Sequence, residues 1–233
     1  MIKIENTAVF GWEGAIRGMR NPKNSWHLSD SYPAVDCGKC GEVDRKGFCN
    51  PKEHNCSQYE CFVIGENDLK LMRTLAQAGP VHGKFLRMIN VQVDITAPQH
   101  WWAEFDTYKV ATVRNSCSKM HKIHVKEFVE DDFTHEFIDQ VDYAKATFAV
   151  VITTLNMLRN AFNKTQDRIY WRAMLDLLPT GYNMKATVQL NYEVLRGMRH
   201  YRKHHKMVEW HTWCDWIDSL PYYVEILGSD DGE

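Results

Sequence analysis

The stretch from Ile89 to His124 limits the fold more than any other part of the chain. Ile89, Val91, Val93 and Ile95 are apolar while Asn90, Gln92 and Asp94 are polar, the period-two signature of a strand with one buried face. Then the period changes. Thr96 has the chemistry of a helix N-cap, and Pro98 is tolerated in a first helical turn, where its missing N–H had no intrahelical partner. A helix is predicted over Pro98–Val110, loaded with Trp101, Trp102, Phe105 and Tyr108 and carrying Glu104, Asp106 and Lys109 between them. Ala111–His121, ATVRNSCSKMH, follows as a run of small hydroxyl and amide side chains that reads as a binding loop.

The flanking segments arrange themselves around that unit. Met1–Arg20 reads as a short strand with Ile2 and Ile4, then a glycine-interrupted helix from Phe10. Asn21–Asp36 is a loop rich in turn formers, and the polar segment Cys37–Cys61 looks like an insertion. From Asn67, an N-cap, a helix places Leu69, Leu71, Met72 and Leu75 at helical spacing until Gly79-Pro80 stops it. Lys126–Glu136 is an acidic connector. Phe137–Asn160 has sustained 3.6-residue periodicity and predicts a long amphipathic helix. Gln166–Leu178, Asn183 to about Lys206, and Val208–Ile217 are read as three further helical segments, the second with a basic half running from Arg196 to Lys206. This order predicts an α+β fold over residues 1–233 as one domain, a small sheet packed with long helices.

The 233 residues are 44% hydrophobic and 25% charged, enough to bury a core without staples. A net charge of −2 gives no global field for nucleic acid or anionic membrane, so any anion site must be local. No apolar run is long enough to span a bilayer, and the N-terminus lacks the layout of a signal peptide. A soluble cytoplasmic protein is expected. In that compartment the seven cysteines are not expected to form disulfides. Cys37-x2-Cys40-x8-Cys49-x6-Cys56, with His54 and Cys61 as further candidates, has the paired start of a small structural zinc site that would order a polar insertion. Cysteines scattered through a loop are the alternative.

Several residue groups point to chemistry, each with a plainer reading beside it. Asn115-Ser116-Cys117-Ser118 could hold a phosphate through hydroxyls and backbone N–H groups, or be an ordinary polar turn. Lys109, Lys119 and His121 offer charge for an anionic nucleotide, or are solvated cations, Lys109 at a helix end. Arg199 and Arg202, three apart on one helix, share a face and could grip a carbonyl or phosphate. The same basic helix, with Arg196 and Lys203, could instead form a nucleic-acid stripe or a solvated surface. Trp101, Trp102, Trp210, Trp213 and Trp216 are read as core first and as a stacking platform for a base or flavin second. Cys117 and Cys214 have no histidine at a spacing that marks a partner base.

The order of these signals resembles the flavin-dependent thymidylate synthases. Ala15-Ile16-Arg17 is similar to that family's early Ala-Ala-Arg helix, Ala78-Gly79-Pro80 stands at its Gly-His turn, and Asp94–Val110 at its strand-to-helix passage. Asn115 and Ser118 occupy the loop positions, and Leu178-Pro179, Asn191, Arg202 and Glu209 follow the C-terminal pattern. Where the family carries an arginine-histidine-arginine triplet, this chain has Tyr108-Lys109-Val110, so the resemblance carries the fold further than the flavin. It implies transfer of a one-carbon unit to C5 of dUMP, with FAD as cofactor, NADPH as reductant and a homotetramer as the assembly. It places Arg202 and Arg199 at the pyrimidine as catalytic groups. Tyr108, Lys109, Asn115 and Asn191 would lie at the cofactor, and Ser116, Ser118, His121 and Arg17 at the nucleotide. The second reading is a non-catalytic nucleotide- or nucleic-acid-binding module on the same fold, with the zinc insertion as an interaction device.

Overall fold

The computed structural model describes residues 2–35 and 60–228. Two compact units emerge: Met1–Ala8 with Gln92–Leu190 and Met198–Trp216, and Val9–Val91 with Asn191–Gly197 and Ile217–Glu233. Strands β1 (Lys3–Phe10), β4 (Asn90–Pro98), β5 (Val113–Ser116) and β6 (Asn183–Asn191) form one sheet in the order β1-β4-β6-β5. Together with the helices below, this is the α+β architecture expected.

The central strand of the predicted unit is present and longer than its pattern suggested. Val91, Val93, Ile95 and Ala97 are all at most 1% exposed, so the alternation continues past Ile95. Thr96 therefore lies inside β4 and is not the N-cap. Pro98, extended at φ −69 and ψ 154, takes the cap position, as its ring favours extended backbone in the residue before it. Helix α3 (Gln99–Phe105) follows and ends five residues before Val110. Its last turn is closed by Asp106 N–H to Trp102 O (2.9 Å) and Tyr108 N–H to Phe105 O (3.0 Å), and the chain then turns through Ala111 at φ 56.

Two other expectations need correction. Ala111–His121 is not a plain loop, because Val113–Ser116 pairs antiparallel with β6, Asn115 opposite Thr187 and Ser116 opposite Ala186, and the short helix α4 (Lys119–Lys122) follows. The first half of the predicted Asn183–Lys206 helix is β6. Met184, Ala186, Val188 and Leu190 are buried, and Lys185, Thr187 and Gln189 between them are exposed. The helix, α7 (Tyr192–Arg202), starts only where Asn191 Oδ1 accepts the Val194 N–H at 3.1 Å.

In the first unit, α5 (Asp142–Thr165) and α6 (Arg168–Leu177) pack on Phe128, Phe133, Phe148, Leu155 and Met174. Helix α8 (Val208–Asp218) lays Trp210 and Trp213 against Trp101 of α3, with ring centroids 4.9 and 5.7 Å apart. These three tryptophans are fully buried, so the core reading of the aromatic residues holds for them. Asp94 of β4 binds across the sheet to Thr187 Oγ (2.6 Å), Asn6 Nδ2 (2.9 Å) and Lys185 Nζ (3.2 Å). Those hydrogen bonds, Thr187's foremost, hold its carboxyl at about 2.

In the second unit, α1 (Trp12–Arg20) buries Trp12, Ala15 and Ile16, and α2 (Glu66–Gln77) buries Met72 and Ala76. Between them lies an ion pair removed from water, Arg20 Nε to Asp68 Oδ1 at 2.6 Å, with side chains 4% and 0% exposed. Arg20 also donates to the carbonyls of Ser25 and Leu28, while Asp68 Oδ2 accepts from the Ser29 and Ser31 hydroxyls and from the N–H groups of Asp30 and Ser31. The polar segment after α1 is thereby folded around one carboxylate. It ends in β2 (Tyr32–Val35), which pairs antiparallel with β3 (Glu60–Val63), Tyr32 opposite Val63 and Val35 opposite Glu60. Helix α9 (Tyr223–Leu227) completes the unit. Cys37, Cys40, Cys49 and Cys56, and with them the zinc expectation, lie outside the described residues. Among the described residues no group of three or more His, Cys, Asp or Glu side chains is placed to hold a metal, and no helix is long and apolar enough to cross a membrane.

Candidate active site

Arg202 is the best-prepared polar group in the first unit. It sits at the end of α7 with 17% of its side chain exposed. Its Nη1 donates to Glu104 Oε2 at 2.7 Å and its Nε to the Tyr108 hydroxyl at 2.9 Å. The guanidinium carbon stands 4.5 Å from the Trp210 ring centre and 5.5 Å from that of Tyr108. A cation held between two aromatic faces and an ion pair has lost its rotamer freedom before any ligand arrives.

Glu104 is the hub of this arrangement. Its Oε2 accepts from Arg202, from Trp210 Nε1 at 3.2 Å, and lies 3.4 Å from His205 Nε2. His205 Nδ1 accepts the Met207 N–H at 3.2 Å, which leaves the imidazole proton on Nε2, facing the carboxylate. The aromatic helix α3 supplies the second hold on this unit as well. Arg114, beside Asn115 on β5, pairs with Asp106 at 3.2 Å and lies 4.6 Å over Trp102. The edge strand and the end of α7 thus close on one short helix.

The other predicted residues are placed differently. Arg199 is buried at 5% exposure and engaged within the fold, so of the two arginines Arg202 is the one that reaches the open side. Arg196 is tied to Glu193 at 2.9 Å, and the basic helix therefore presents no row of loose guanidiniums. Asn115, Ser116, Cys117 and Ser118 are exposed. Cys117 N–H extends the sheet ladder to Lys185 O, and Ser118 Oγ accepts the His121 N–H at 3.3 Å. None of Ser116, Ser118 and His121 hydrogen-bonds Arg202. Lys109 is exposed and has no ion-pair partner among the described residues. Asn191, 6% exposed, spends its side chain on capping α7. Arg17 belongs to the second unit, 66% exposed and 3.5 Å from Glu13. Sequence reasoning missed Glu104 and His205 as members of the site, and offered Trp210 only as a stacking platform behind its core reading. The available signal was Glu104 four residues before Tyr108 in the tryptophan-rich segment.

With this geometry in place, the likeness to solved structures becomes informative. Thymidylate synthase X from Helicobacter pylori, in a structure with FAD and dUMP, superposes with a TM-score of 0.65 at 13% identity, over 99% of this chain and 98% of that one. A second structure, of the flavin-dependent thymidylate synthase from the same organism complexed with FAD and dUMP, gives 0.65 at 14%, over 98% of each chain. The fold is that of thymidylate synthase X. No family model matches the sequence, and no curated protein does. At this identity the thymidylate synthase X likeness speaks for the path of the backbone, and the chemistry has to be argued from the residues themselves.

Proposed function

We propose that the chain is a thymidylate-synthase-X-like enzyme that binds dUMP and transfers a one-carbon unit to C5 of its base. The observation that carries this reading is Arg202, immobilised by Glu104, Tyr108 and Trp210 with Nη2 left over. A fixed guanidinium in a partly dry site draws electron density toward a carbonyl of the pyrimidine more strongly as charge develops there. The phosphate end falls to the exposed hydroxyls of Ser116 and Ser118 with Asn115 and His121. Arg199 backs Arg202 from within the helix.

The residues at the flavin position fit FAD in charge and exposure. Lys109 is an unpaired cation among the described residues, suited to a diphosphate, and Val110 is an apolar side chain left 84% exposed. Tyr108 is already committed to Arg202, so it would border the cofactor from the arginine's side. Bound FAD supplies the redox chemistry, with NADPH as the source of electrons. The assembly in this reading is a homotetramer.

Calorimetry with dUMP tests the reading. Arg202→Ala should weaken dUMP by about 1.5–3 kcal/mol, the worth of a hydrogen bond to a charged group, while Arg196→Ala leaves it within about 0.5 kcal/mol. Equal small losses at both positions, or a protein whose absorbance spectrum shows no flavin band once added FAD that is not bound has been removed, would overturn it.

A further inference from the structure

Each partner of the central ion pair has one atom that the protein does not use. Every contact to the Glu104 carboxylate goes to Oε2: Arg202 Nη1, Trp210 Nε1 and His205 Nε2. Oε1 is left without a partner among the described residues, on a side chain 34% exposed. Among the described residues Arg202 likewise donates through Nε and Nη1 alone, with Nη2 left open. Since Nη1 and Oε2 are in contact at 2.7 Å, the open donor and the open acceptor belong to one ion pair.

We infer that Glu104 determines base specificity, its Oε1 accepting N3–H of uracil while Arg202 Nη2 donates to the C4 carbonyl beside it. This rests on the dUMP reading above. A carbonyl flanked by N–H is the edge that a donor and an acceptor in this order complement. Cytosine in the same pose would meet Arg202 with its amino group and Glu104 with a bare ring nitrogen, donor against donor and acceptor against acceptor. Such a mismatch leaves buried polar groups unpaired, which is where discrimination between similar bases is largest. Three donors on Oε2 serve the same end. They fix the carboxylate plane, so that Oε1 cannot rotate to follow a slipped base.

Calorimetric affinities of dUMP, N3-methyl-dUMP and dCMP for the wild-type protein, Glu104→Gln and Tyr108→Phe test this. The wild type should prefer dUMP to both others by about ten- to a hundredfold. In Glu104→Gln that preference over N3-methyl-dUMP should fall at least tenfold, because an amide –NH2 in place of Oε1 accepts nothing from N3–H and dUMP loses the bond that N3-methyl-dUMP never made. Tyr108→Phe loosens Arg202 without touching Oε1, and should weaken dUMP and N3-methyl-dUMP alike with the preference between them kept. An unchanged preference in Glu104→Gln, or wild-type binding of dCMP as tight as dUMP, overturns the inference and leaves the dUMP reading intact. A wild type that binds none of the three removes that reading and the inference together. If Glu104→Gln does not fold, the wild-type ratio of dUMP to N3-methyl-dUMP decides alone, and a ratio near one overturns the inference.

Discussion

Replacing Arg20 by methionine keeps the aliphatic volume and removes the guanidinium from the least exposed ion pair among the described residues. Asp68 would keep its four contacts on Oδ2, from two serine hydroxyls and two backbone N–H groups. Its Oδ1 would lose the 2.6 Å bond from Nε, and the carbonyls of Ser25 and Leu28 would lose their donors at 3.1 and 3.0 Å. An uncompensated carboxylate at 0% exposure costs about 3–5 kcal/mol, a Tm drop of roughly 6–20 °C for a chain of this size. Burial raises the Asp68 carboxyl, but the hydrogen bonds from Ser31, Ser29 and Arg20 outweigh it, so the net displacement is below the ordinary 3.8. Its share of stability is therefore complete above that value and lost as pH falls below it. The gap between wild type and Arg20→Met should narrow on acidification through the same range. Urea unfolding of both single variants and of Arg20→Met with Asp68→Asn completes the cycle, the double variant being more stable than Arg20→Met because no stranded charge remains. A loss under about 1 kcal/mol for Arg20→Met, or strict additivity in the cycle, would refute the reasoning.

Two further outcomes are expected. The Asp94 carboxyl should titrate at about 2 by NMR, so that its cross-strand bonds stabilise the sheet above its unfolded value near 3.8 and fade as pH falls toward 2. Thr187→Val should move that titration upward, and an unmoved value would show that the Thr187 hydroxyl is not the cause. Gly11 holds φ +96, and an added Cβ would run into the Met88 carbonyl oxygen. Gly11→Ala should cost more than about 1 kcal/mol in urea unfolding, and a neutral or stabilising result would contradict the backbone described there.

Much of the fold was legible because burial imposes a period on the sequence. Val91, Val93 and Ile95 announce β4, and the long α5 is visible from Phe148 to Leu158. β6 was equally visible in Met184, Ala186, Val188 and Leu190, yet it merged with the helix that follows without a break, since Asn191 is both the last strand residue and the cap of α7. The end of α3 was not legible, because aromatic residues such as Tyr108 suit a helix and a tight turn alike, and only the contact with Arg202 fixes which is used. Arg202 could be singled out from sequence. Its setting could not, since Glu104 and Trp210 stand more than a hundred residues apart and meet only once α3 and α8 pack. The polar run at Asn115 read as a loop because an exposed edge strand buries neither face and so leaves no alternation to detect.

The ladder between β2 and β3 has a consequence for how this chain can vary. Because Val35 stands opposite Glu60, the backbone departs from the second unit and rejoins it across a single inter-strand spacing of roughly 5 Å. Closing a longer excursion between two such ends costs only logarithmically more, so the number of residues between them has little leverage on the ladder itself. The pairing of Tyr32–Val35 with Glu60–Val63, and not the spacing along the chain, sets how the backbone leaves β2 and where it enters α2.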